Sequence, residues 1–344
     1  MTDHPFPVLM IGGAGVVGAH AVRILRQLHP TLPLAIAGRS LARAQALADE
    51  VGHAAAVAVN LTRQDLGLPA GSRYSAIVIF LKDDRLNAMR YAQRQGTPFI
   101  CLSSSTFEIG LEVAQFIHGP GKAPIYLAGH WLAGASLMPA LLLAREYREI
   151  DEIHLGVLVD EMDLGGPAAH ADYERIVGSS PAALVLKEGR FAWVKGDDAK
   201  TEVRGIDGVV RQADAYAPFD IISLAAATNA RNIRLDLVVG ESASRRRGEA
   251  FSTEMQITVD GILATGSRTR SVHQIVHPAG QAPLTGLGAA LAVERLVGAR
   301  GDDPVAPGLY MPELLIDPAY YVSRMSEFGA RMAQQDEPVG AHIQ

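Results

Sequence analysis

The chain has 344 residues and is poor in cysteine, in excess basic charge and in long apolar runs, each of which would assign it to a specialised class of proteins. Its single cysteine, Cys101, excludes a disulfide framework and a thiolate metal centre. With a net charge of −6 it has no basic excess, so we expect neither a nucleic acid nor a membrane surface as its partner. No apolar run reaches the length of a membrane-spanning helix.

Several catalytic motifs are also absent. The sequence contains no H-E-x-x-H, C-x-x-C or G-x-x-x-x-G-K-[ST] motif, and we expect no metal site. None of the nine tyrosines is followed four residues later by lysine, which argues against the Tyr-x-x-x-Lys chemistry of short-chain dehydrogenases. The first apolar run begins at Pro7, too early for a signal peptide to precede it, so we expect a cytoplasmic protein.

The most informative motif lies at the start of the chain. An apolar run over 7–12 predicts a buried strand, and a helical pattern follows over 16–28. The turn between them carries a G-x-G-x-x-G dinucleotide fingerprint, formed by Gly13, Ala14, Gly15, Val16, Val17 and Gly18. Gly13 allows the tight turn, Gly15 the approach of a pyrophosphate, and Gly18 close packing of helix on strand. We predict a bound dinucleotide; the alternative is a structural Gly-rich turn.

The end of the second strand indicates which dinucleotide is bound. This strand, over 34–37, is followed by Gly38, Arg39 and Ser40, and Arg43 lies one turn into the next helix. A chain selective for NAD places Asp or Glu here, and this one has none. Guanidinium and hydroxyl groups suit a 2′-phosphate, so we predict NADP(H) in preference to NAD(H). In the alternative, Ser40 only caps the helix over 41–51 and both arginines are solvated.

Strand and helix patterns alternate through the first third, which predicts a parallel, doubly wound sheet. The predicted strands are 7–12, 34–37, 55–60, 76–81 and 98–102, and the helices are 16–28, 41–51 and 85–95. After about residue 130 the predicted strands are longer, and apolar and polar residues alternate more regularly along them. These strands are 152–160, 191–195, 233–240 and 251–260. The last two strands are predicted to form an antiparallel hairpin. Helices are predicted at 135–147, 286–297 and 319–332.

The fold class is therefore α/β, with an N-terminal Rossmann sheet and a second α+β domain built on a mostly antiparallel sheet. We expect a dinucleotide domain over 1–130 and a substrate and dimerisation domain over 131–333. The last helices are expected to pack back on the first domain, and 334–344 to form a frayed tail. Because one face of such a sheet often meets a second subunit, we expect a homodimer.

Ligands of a parallel sheet bind beyond the carboxyl ends of its strands, which places the glycine loop and three further loops around a nicotinamide. The loop after the fourth strand offers Leu81, Lys82 and Asp83, and the loop after the fifth offers Ser103 and Ser104. The alternatives are a helix cap for the first loop and an ordinary turn for the second. The third loop offers His130, our first candidate proton donor because an ordinary histidine titrates near neutral pH. A structural role beside Trp131 is its alternative.

A further polar cluster follows the long strand at 152–160 and could line the substrate side of a cleft. Its candidate substrate contacts are Asp160, His170 and Tyr173. We include Tyr173 with His130 and Asp83 among the candidate catalytic residues.

The segments 12–18, 37–40 and 129–138 together resemble the saccharopine dehydrogenase-like NAD(P)-dependent oxidoreductases, most clearly over residues 7–145. The resemblance implies an enzyme that interconverts an imine, or a ketone plus an amine, with an amine next to a carboxylate. This chain has His130 to Gly134 where relatives that handle amino acids tend to carry an Asp-Pro-Gly-type turn. It also has Ser104-Ser105-Thr106 where they tend to carry Ser-Tyr after the fifth strand. These departures predict a different, less cationic substrate.

The sequence as a whole predicts an NADP(H)-dependent oxidoreductase that transfers a hydride to or from a C=N or C=O carbon of a small substrate. Two alternatives stay open. One is a C=C reductase on the same scaffold, in which His130 is structural. The other is a non-catalytic redox sensor that binds NADP(H).

Overall fold

The computed structural model describes residues 6–163, 165–179 and 182–336. Its strands are β1 (Val8–Ile11), β2 (Leu34–Ala37), β3 (Ala54–Val57), β4 (Ala76–Ile79), β5 (Phe99–Cys101), β6 (Pro124–Leu127), β7 (Tyr147–Asp160), β8 (Ala182–Lys187), β9 (Arg190–Lys195), β10 (Lys200–Arg204), β11 (Val210–Ala215), β12 (Asn232–Gly240), β13 (Thr253–Leu263), β14 (Arg268–His277), β15 (Gly308–Tyr310) and β16 (Arg331–Asp336). Its helices are α1 (Val16–Leu28), α2 (Leu41–Val51), α3 (Asn87–Gln95), α4 (Ile109–Ile117), α5 (Leu137–Ala144), α6 (Pro167–Ser179), α7 (Asp220–Ala227), α8 (Ala243–Arg246), α9 (Gln281–Val297), α10 (Pro312–Leu315) and α11 (Pro318–Glu327).

The chain forms two compact units, each assembled from three segments. Unit 1 comprises 1–129, 165–174 and 285–317, and unit 2 comprises 130–164, 175–284 and 318–344. Unit 1 therefore takes in the greater part of α9 together with β15 and α10. Its parts are distant in the sequence and close in space.

Unit 1 is built on a seven-stranded parallel sheet in the order β15-β6-β5-β4-β1-β2-β3. Every residue of β1 and β4 is buried, as expected for central strands covered on both faces. The strand order reverses between β1 and β4, where Ile11 pairs with Ile79. Ligands of such sheets bind at this reversal, beyond the carboxyl ends of the strands.

Helices α1 and α9 pack closely together in unit 1. Gly286 lies against α1, and a Cβ built on it would come within 2.7 Å of His20 Cβ. At the end of α1, His29 Nε2 lies 3.0 Å from the buried Glu294 carboxylate of α9. A late segment of the chain thus completes the packing of the first helix.

Unit 2 is built on a nine-stranded sheet in which most pairs are antiparallel. Its main order is β10-β11-β12-β7-β13-β14-β16, and β8 extends from β12 to pair with β9. Among the described strands of this sheet, β12 and β7 form the one parallel pair. Helix α5 packs against β7 and β13, and Leu137, Met138, Leu141, Leu155 and Ile257 on these elements are all buried. The predicted fold class, a Rossmann sheet followed by a mostly antiparallel α+β unit, is confirmed.

Two details of the sequence prediction are wrong. The strands predicted at 233–240 and 251–260 do not form a hairpin, because both pair with β7, which lies between them. The last predicted helix ends at Glu327, and residues 331–336 form strand β16 against β14. Strand β16 includes the first residues of the predicted frayed tail; the remainder, 337–344, lies outside the described residues. Among the residues described, none of the helices has the length and apolar character needed to cross a membrane.

Candidate functional site

The glycine loop after β1 has the shape of a phosphate cradle. Gly12 has a φ of +87°, which favours glycine, so the sharp turn lies one residue before the predicted Gly13. A Cβ on Gly18 would lie 2.3 Å from the Gly12 carbonyl oxygen, and one on Gly13 would lie 2.8 Å from Met10 Cβ. Side chains at these two positions would push helix, turn and strand apart. The loop therefore has the close packing that the fingerprint predicts.

The first turn of α1 is suited to an anion. Its N-cap, Gly15, provides no side-chain hydrogen bond, and no acidic residue occupies the first turn. Val16 is 47% exposed, so the start of the helix is open to solvent. Backbone N–H groups and the positive end of the helix dipole favour negative charge at this position. The residues present fit a pyrophosphate group.

The residues after β2 fit a 2′-phosphate. Gly38 leaves open space where a side chain would project, and the side chains of Arg39 and Arg43 are exposed. Within the described ranges, neither guanidinium has a hydrogen bond or an ion pair. The Ser40 hydroxyl accepts a hydrogen bond from the Arg43 N–H at 3.4 Å, so Ser40 does cap α2. The hydroxyl proton remains able to donate to a phosphate oxygen.

The loop after β4 lies next to the glycine loop. A Cβ on Gly12 would lie 3.0 Å from Leu81, which places Leu81 at the reversal point of the sheet. Lys82 pairs with Glu108 at 3.1 Å, and both side chains are largely buried. Asp83 accepts hydrogen bonds from the N–H groups of Arg85 (3.2 Å) and Ala88 (2.7 Å). Its contacts are those of a helix cap, and burial raises the pKa of its carboxyl group.

The loop after β5 presents two buried serines. Ser104 donates to the Glu112 carboxylate at 2.6 Å, and Ser103 donates to Asp172. Glu112 is 2% exposed and lies on α4. Burial raises the pKa of the Cys101 thiol to about 11, so this cysteine is not a thiolate at neutral pH.

Residues 165–174 bring the start of α6 against the dinucleotide loops of unit 1. A Cβ on Gly166 would lie 2.6 Å from Val16, and Asp172 is bonded to Ser103. Tyr173 follows Asp172 and is 42% exposed. His170 lies 3.3 Å from Glu174 on an exposed face of α6. The sequence offered no signal that this segment belongs with the first sheet.

In unit 2, the turn at 130–134 has an unusual backbone. Leu132 (φ 47°, ψ 44°) and Ala133 (φ 57°, ψ 30°) are both left-handed, a conformation that costs ~1–2 kcal/mol per residue for residues other than glycine. Asp220, fully buried on α7, accepts the Trp131 N–H at 2.7 Å and the Ser136 hydroxyl at 2.5 Å. These hydrogen bonds hold the two ends of the turn.

Tyr321 of α11 fixes the middle of the same turn. It is fully buried and donates to the Ala133 carbonyl at 3.1 Å. Burial raises the pKa of Tyr321 above its ordinary value, so its phenol keeps the proton that it donates. No local sequence signal pointed to Asp220 or Tyr321, because both are distant from the turn along the chain.

His130, at the start of the turn, is 5% exposed. Its Nε2 lies 2.8 Å from the Ser223 hydroxyl, and its ring meets Phe219 edge-on at a centroid distance of 5.6 Å. Its Nδ1 is buried and has no hydrogen-bond partner in the described part of the chain. Burial lowers the pKa of His130 to about 3, so the ring is neutral at pH 7. This differs from the near-neutral pKa on which the expected proton donation rested.

Trp131, like His130, is a buried side chain with an edge-on aromatic contact and an unsatisfied ring nitrogen. It is 9% exposed, and its ring meets Tyr216 edge-on at a centroid distance of 5.9 Å. Its Nε1 is also buried with no hydrogen-bond partner among the residues described. Consecutive residues therefore carry two unsatisfied buried nitrogens. Each such group costs ~1–3 kcal/mol when nothing compensates it.

The remaining candidate of the second polar cluster has structural contacts. Asp160 is fully buried, accepts the N–H of Ser242 at 2.7 Å, and pairs with Arg245 at 3.2 Å. No group of three His, Cys, Asp or Glu side chains in the described ranges is arranged to hold a metal ion.

No protein-family model matches the chain, and no curated protein does. Among solved structures, it is similar to apo saccharopine dehydrogenase (L-glutamate forming) from Saccharomyces cerevisiae, with a TM-score of 0.66 at 13% identity over 96% of this chain and 100% of that chain. Weaker similarities link it to a myo-inositol dehydrogenase from Corynebacterium glutamicum (TM-score 0.45, 13% identity, 97% and 99% of the two chains) and to a dehydrogenase from Thermus thermophilus in complex with NAD and UDP-GlcNAcA (0.43, 13%, 91% and 99%). The first comparison confirms a saccharopine dehydrogenase-like fold.

Proposed function

We propose that this chain is an NADP(H)-dependent oxidoreductase that transfers a hydride to or from a C=N or C=O carbon of a small substrate. The observation that carries the proposal is the glycine loop at the reversal point of the sheet. There a side chain on Gly18 would collide with the Gly12 carbonyl, and α1 begins without a side-chain cap. Loops of this form bind the pyrophosphate of a dinucleotide.

In this proposal unit 1 binds the dinucleotide. The backbone of 13–18 holds the pyrophosphate, and Arg39, Ser40 and Arg43 beyond Gly38 hold the 2′-phosphate. Two exposed guanidiniums with no partner in the described part of the chain, and the lack of Asp or Glu directly after β2, favour NADP(H) over NAD(H). When bound, NADPH supplies the hydride. Leu81, Lys82, Ser103 and Ser104 lie on the loops at the nicotinamide end, where they would orient the ring and limit access of water.

Unit 2 supplies the substrate contact in this proposal. His130 is neutral and buried, so its role is to hold and polarise a substrate oxygen or nitrogen rather than to carry a positive charge. Asp83 positions its loop by capping α3. Tyr173, next to the Asp172–Ser103 contact, remains a candidate for substrate binding. We also propose a homodimer located in the cytoplasm. Light scattering of the purified protein tests the dimer, and fractionation of cells tests the location.

The test is NADPH oxidation against ketones, aldehydes and keto acids, with and without ammonia or simple amines. Wild type runs beside His130→Gln, and Trp193→Phe, an exposed position on β9, serves as the control. We expect turnover in wild type and control, and a loss of about tenfold or more in His130→Gln. An amine requirement indicates an imine substrate. Turnover with enones alone would favour the C=C reductase, and tight NADPH binding without turnover would favour the sensor.

A further inference from the structure

The turn at 130–134 has two energetically unfavourable features, a strained backbone and buried nitrogens without hydrogen bonds among the described residues. Leu132 and Ala133 are in left-handed conformations, and the nitrogens His130 Nδ1 and Trp131 Nε1 are buried without partners in the described structure. Backbone strain in a folded protein persists only where surrounding contacts fix it, and it concentrates at ligand sites. Here Asp220 and Tyr321 supply the fixing contacts.

Each of the two nitrogens can act as a hydrogen-bond donor. Trp Nε1 is always a donor. When the Ser223 hydroxyl donates to His130 Nε2 across their 2.8 Å contact, the single ring proton of neutral His130 lies on Nδ1. Two N–H donors on consecutive residues, each beside an aromatic ring, correspond in number to the two lone pairs of a carbonyl oxygen.

The surroundings select against an anion. Among the described residues, the ring and hydrogen-bond contacts of the His130 and Trp131 side chains are with Phe219, Tyr216 and the Ser223 hydroxyl, all uncharged. The Asp220 carboxylate, which is the charged group bound to the turn, accepts hydrogen bonds from the Trp131 N–H and the Ser136 hydroxyl. Burial is the cause of the low pKa of His130. An anionic ligand here would lose its hydration, and none of these described contacts is a cation that would compensate for that loss.

We propose that His130 Nδ1 and Trp131 Nε1 form a paired donor site for an uncharged carbonyl oxygen of the substrate, and that the site discriminates against carboxylates. This deepens the proposed function and rests on it: the substrate presents a neutral ketone or aldehyde, or the corresponding alcohol, at this position. Asp220 and Tyr321 act as positioning residues that hold the turn in its strained form.

The test observes Trp131 directly by its indole N–H signal in a ¹H–¹⁵N spectrum of the full chain. The chain has two tryptophans, so Trp193→Phe assigns the Trp131 signal and leaves the turn intact. The probes are cyclohexanone and acetophenone, with cyclohexanecarboxylate and benzoate as anions of similar size. Each is titrated with and without NADP⁺ at neutral pH.

We expect the ketones to shift the Trp131 signal saturably and to leave the Trp193 signal of the wild type in place. The carboxylates are expected to bind at least tenfold more weakly. His130→Gln should weaken the ketone-induced shift by about tenfold while leaving the NADPH dissociation constant unchanged. Failure of both ketones to shift the Trp131 signal, or tighter binding of the carboxylates, would overturn the proposal.

Failure of the donor pair and failure of the proposed oxidoreductase function give different results. NADPH turnover with keto acids, combined with a Trp131 signal that ketones do not shift, would leave the oxidoreductase standing and remove the donor pair. Ketone-dependent shifts in a chain that binds no NADPH would support the donor pair and contradict the oxidoreductase.

Discussion

At the scale of single residues, burial decides how the candidate side chains can act. His130 is a neutral hydrogen-bonding group because its ring is 95% buried, whereas Arg39 and Arg43 keep exposed charges that an anion can reach. The sequence indicated all three positions. It could not indicate the protonation of His130, because the residues that bury it, Phe219 and Ser223, come some ninety positions later.

The first prediction concerns the two arginines after β2. Replacing Arg39 and Arg43 together by Ala removes two charge-assisted hydrogen bonds to a 2′-phosphate, which should weaken NADPH binding by ~2–4 kcal/mol. NADH binding should hardly change, because NADH lacks that phosphate. Isothermal titration of both nucleotides measures the difference, and Arg268→Ala, an exposed arginine of β14, controls for loss of positive charge. An equal loss for both nucleotides would sink the assignment.

The second prediction is a pH dependence of stability. The pKa of His130 is lowered to about 3 by burial, whereas the unfolded chain has the ordinary value near 6.5. Between these values the unfolded state binds more protons. The stability that comes from the neutral ring is therefore complete above pH ~6.5 and falls by up to ~1.4 kcal/mol per pH unit as the pH drops.

Urea unfolding from pH ~7.5 to ~5 measures this slope. We expect His130→Gln to show a shallower loss of stability on acidification than wild type by ~1–2 kcal/mol over this range. His118→Gln, at an exposed position, should retain the wild-type slope. Equal slopes in wild type and His130→Gln would show that the ring is not buried in the neutral form.

At the scale of elements, close packing determines the conformation of the glycine loop, and buried hydrogen bonds determine that of the turn at 130–134.

The third prediction concerns the glycine loop. Gly18→Ala puts a methyl group 2.3 Å from the Gly12 carbonyl, so it should cost ~1–3 kcal/mol of stability and weaken NADPH binding. Gly110→Ala, where α4 leaves open space around the added methyl, should instead raise stability slightly. Thermal unfolding and NADPH titration of both variants provide the comparison, and a Gly18→Ala protein with unchanged affinity would contradict it.

The fourth prediction concerns Asp220, which holds the turn. Asp220→Ala leaves the Trp131 N–H and the Ser136 hydroxyl without their acceptor, at a cost of ~2–4 kcal/mol in the free energy of unfolding. Asp220→Asn keeps one oxygen acceptor and should recover part of this loss. Urea unfolding measures both variants. If Asp220→Ala changes stability by less than about 0.5 kcal/mol, the turn is held by other contacts.

Local elements could largely be predicted from the sequence, whereas long-range pairing could not. The glycine loop, α1, α2 and the left-handed Gly96 at the end of α3 follow from patterns within a few residues. The hairpin predicted for β12 and β13 fails because β7, about seventy residues earlier than β12, lies between them. Strand β16 was missed because Arg331–Asp336 has neither alternation nor β-branched residues, and its pairing with β14 decides its conformation.

At the scale of the whole molecule, unit 1 is not a continuous stretch of chain. Strand β15 pairs with β6, and α9 contributes Glu294 to His29 and a glycine contact to α1. The sequence indicated a change near residue 130, where the predicted strands become longer and alternate between apolar and polar residues. It could not show that residues 285–317 complete the first unit, because no local pattern records which sheet a late strand joins.

The fifth prediction follows from this arrangement. A fragment of residues 1–129 lacks β15 and the packing of α9 on α1, so it should unfold at a lower temperature than the full chain and bind NADPH at least tenfold more weakly. Restoring 285–317 through a flexible linker after residue 129 should recover part of both properties. Full stability and affinity in the short fragment would show that the later segment is dispensable.

The central claim is that this chain binds NADP(H) through its glycine loop and prefers it to NAD(H). The most direct measurement is a calorimetric titration of the wild-type protein with NADPH and, separately, with NADH. We predict one site per chain and at least tenfold tighter binding of NADPH than of NADH, which corresponds to ~1.4 kcal/mol or more. Tighter binding of NADH, or no binding of either nucleotide, would contradict it.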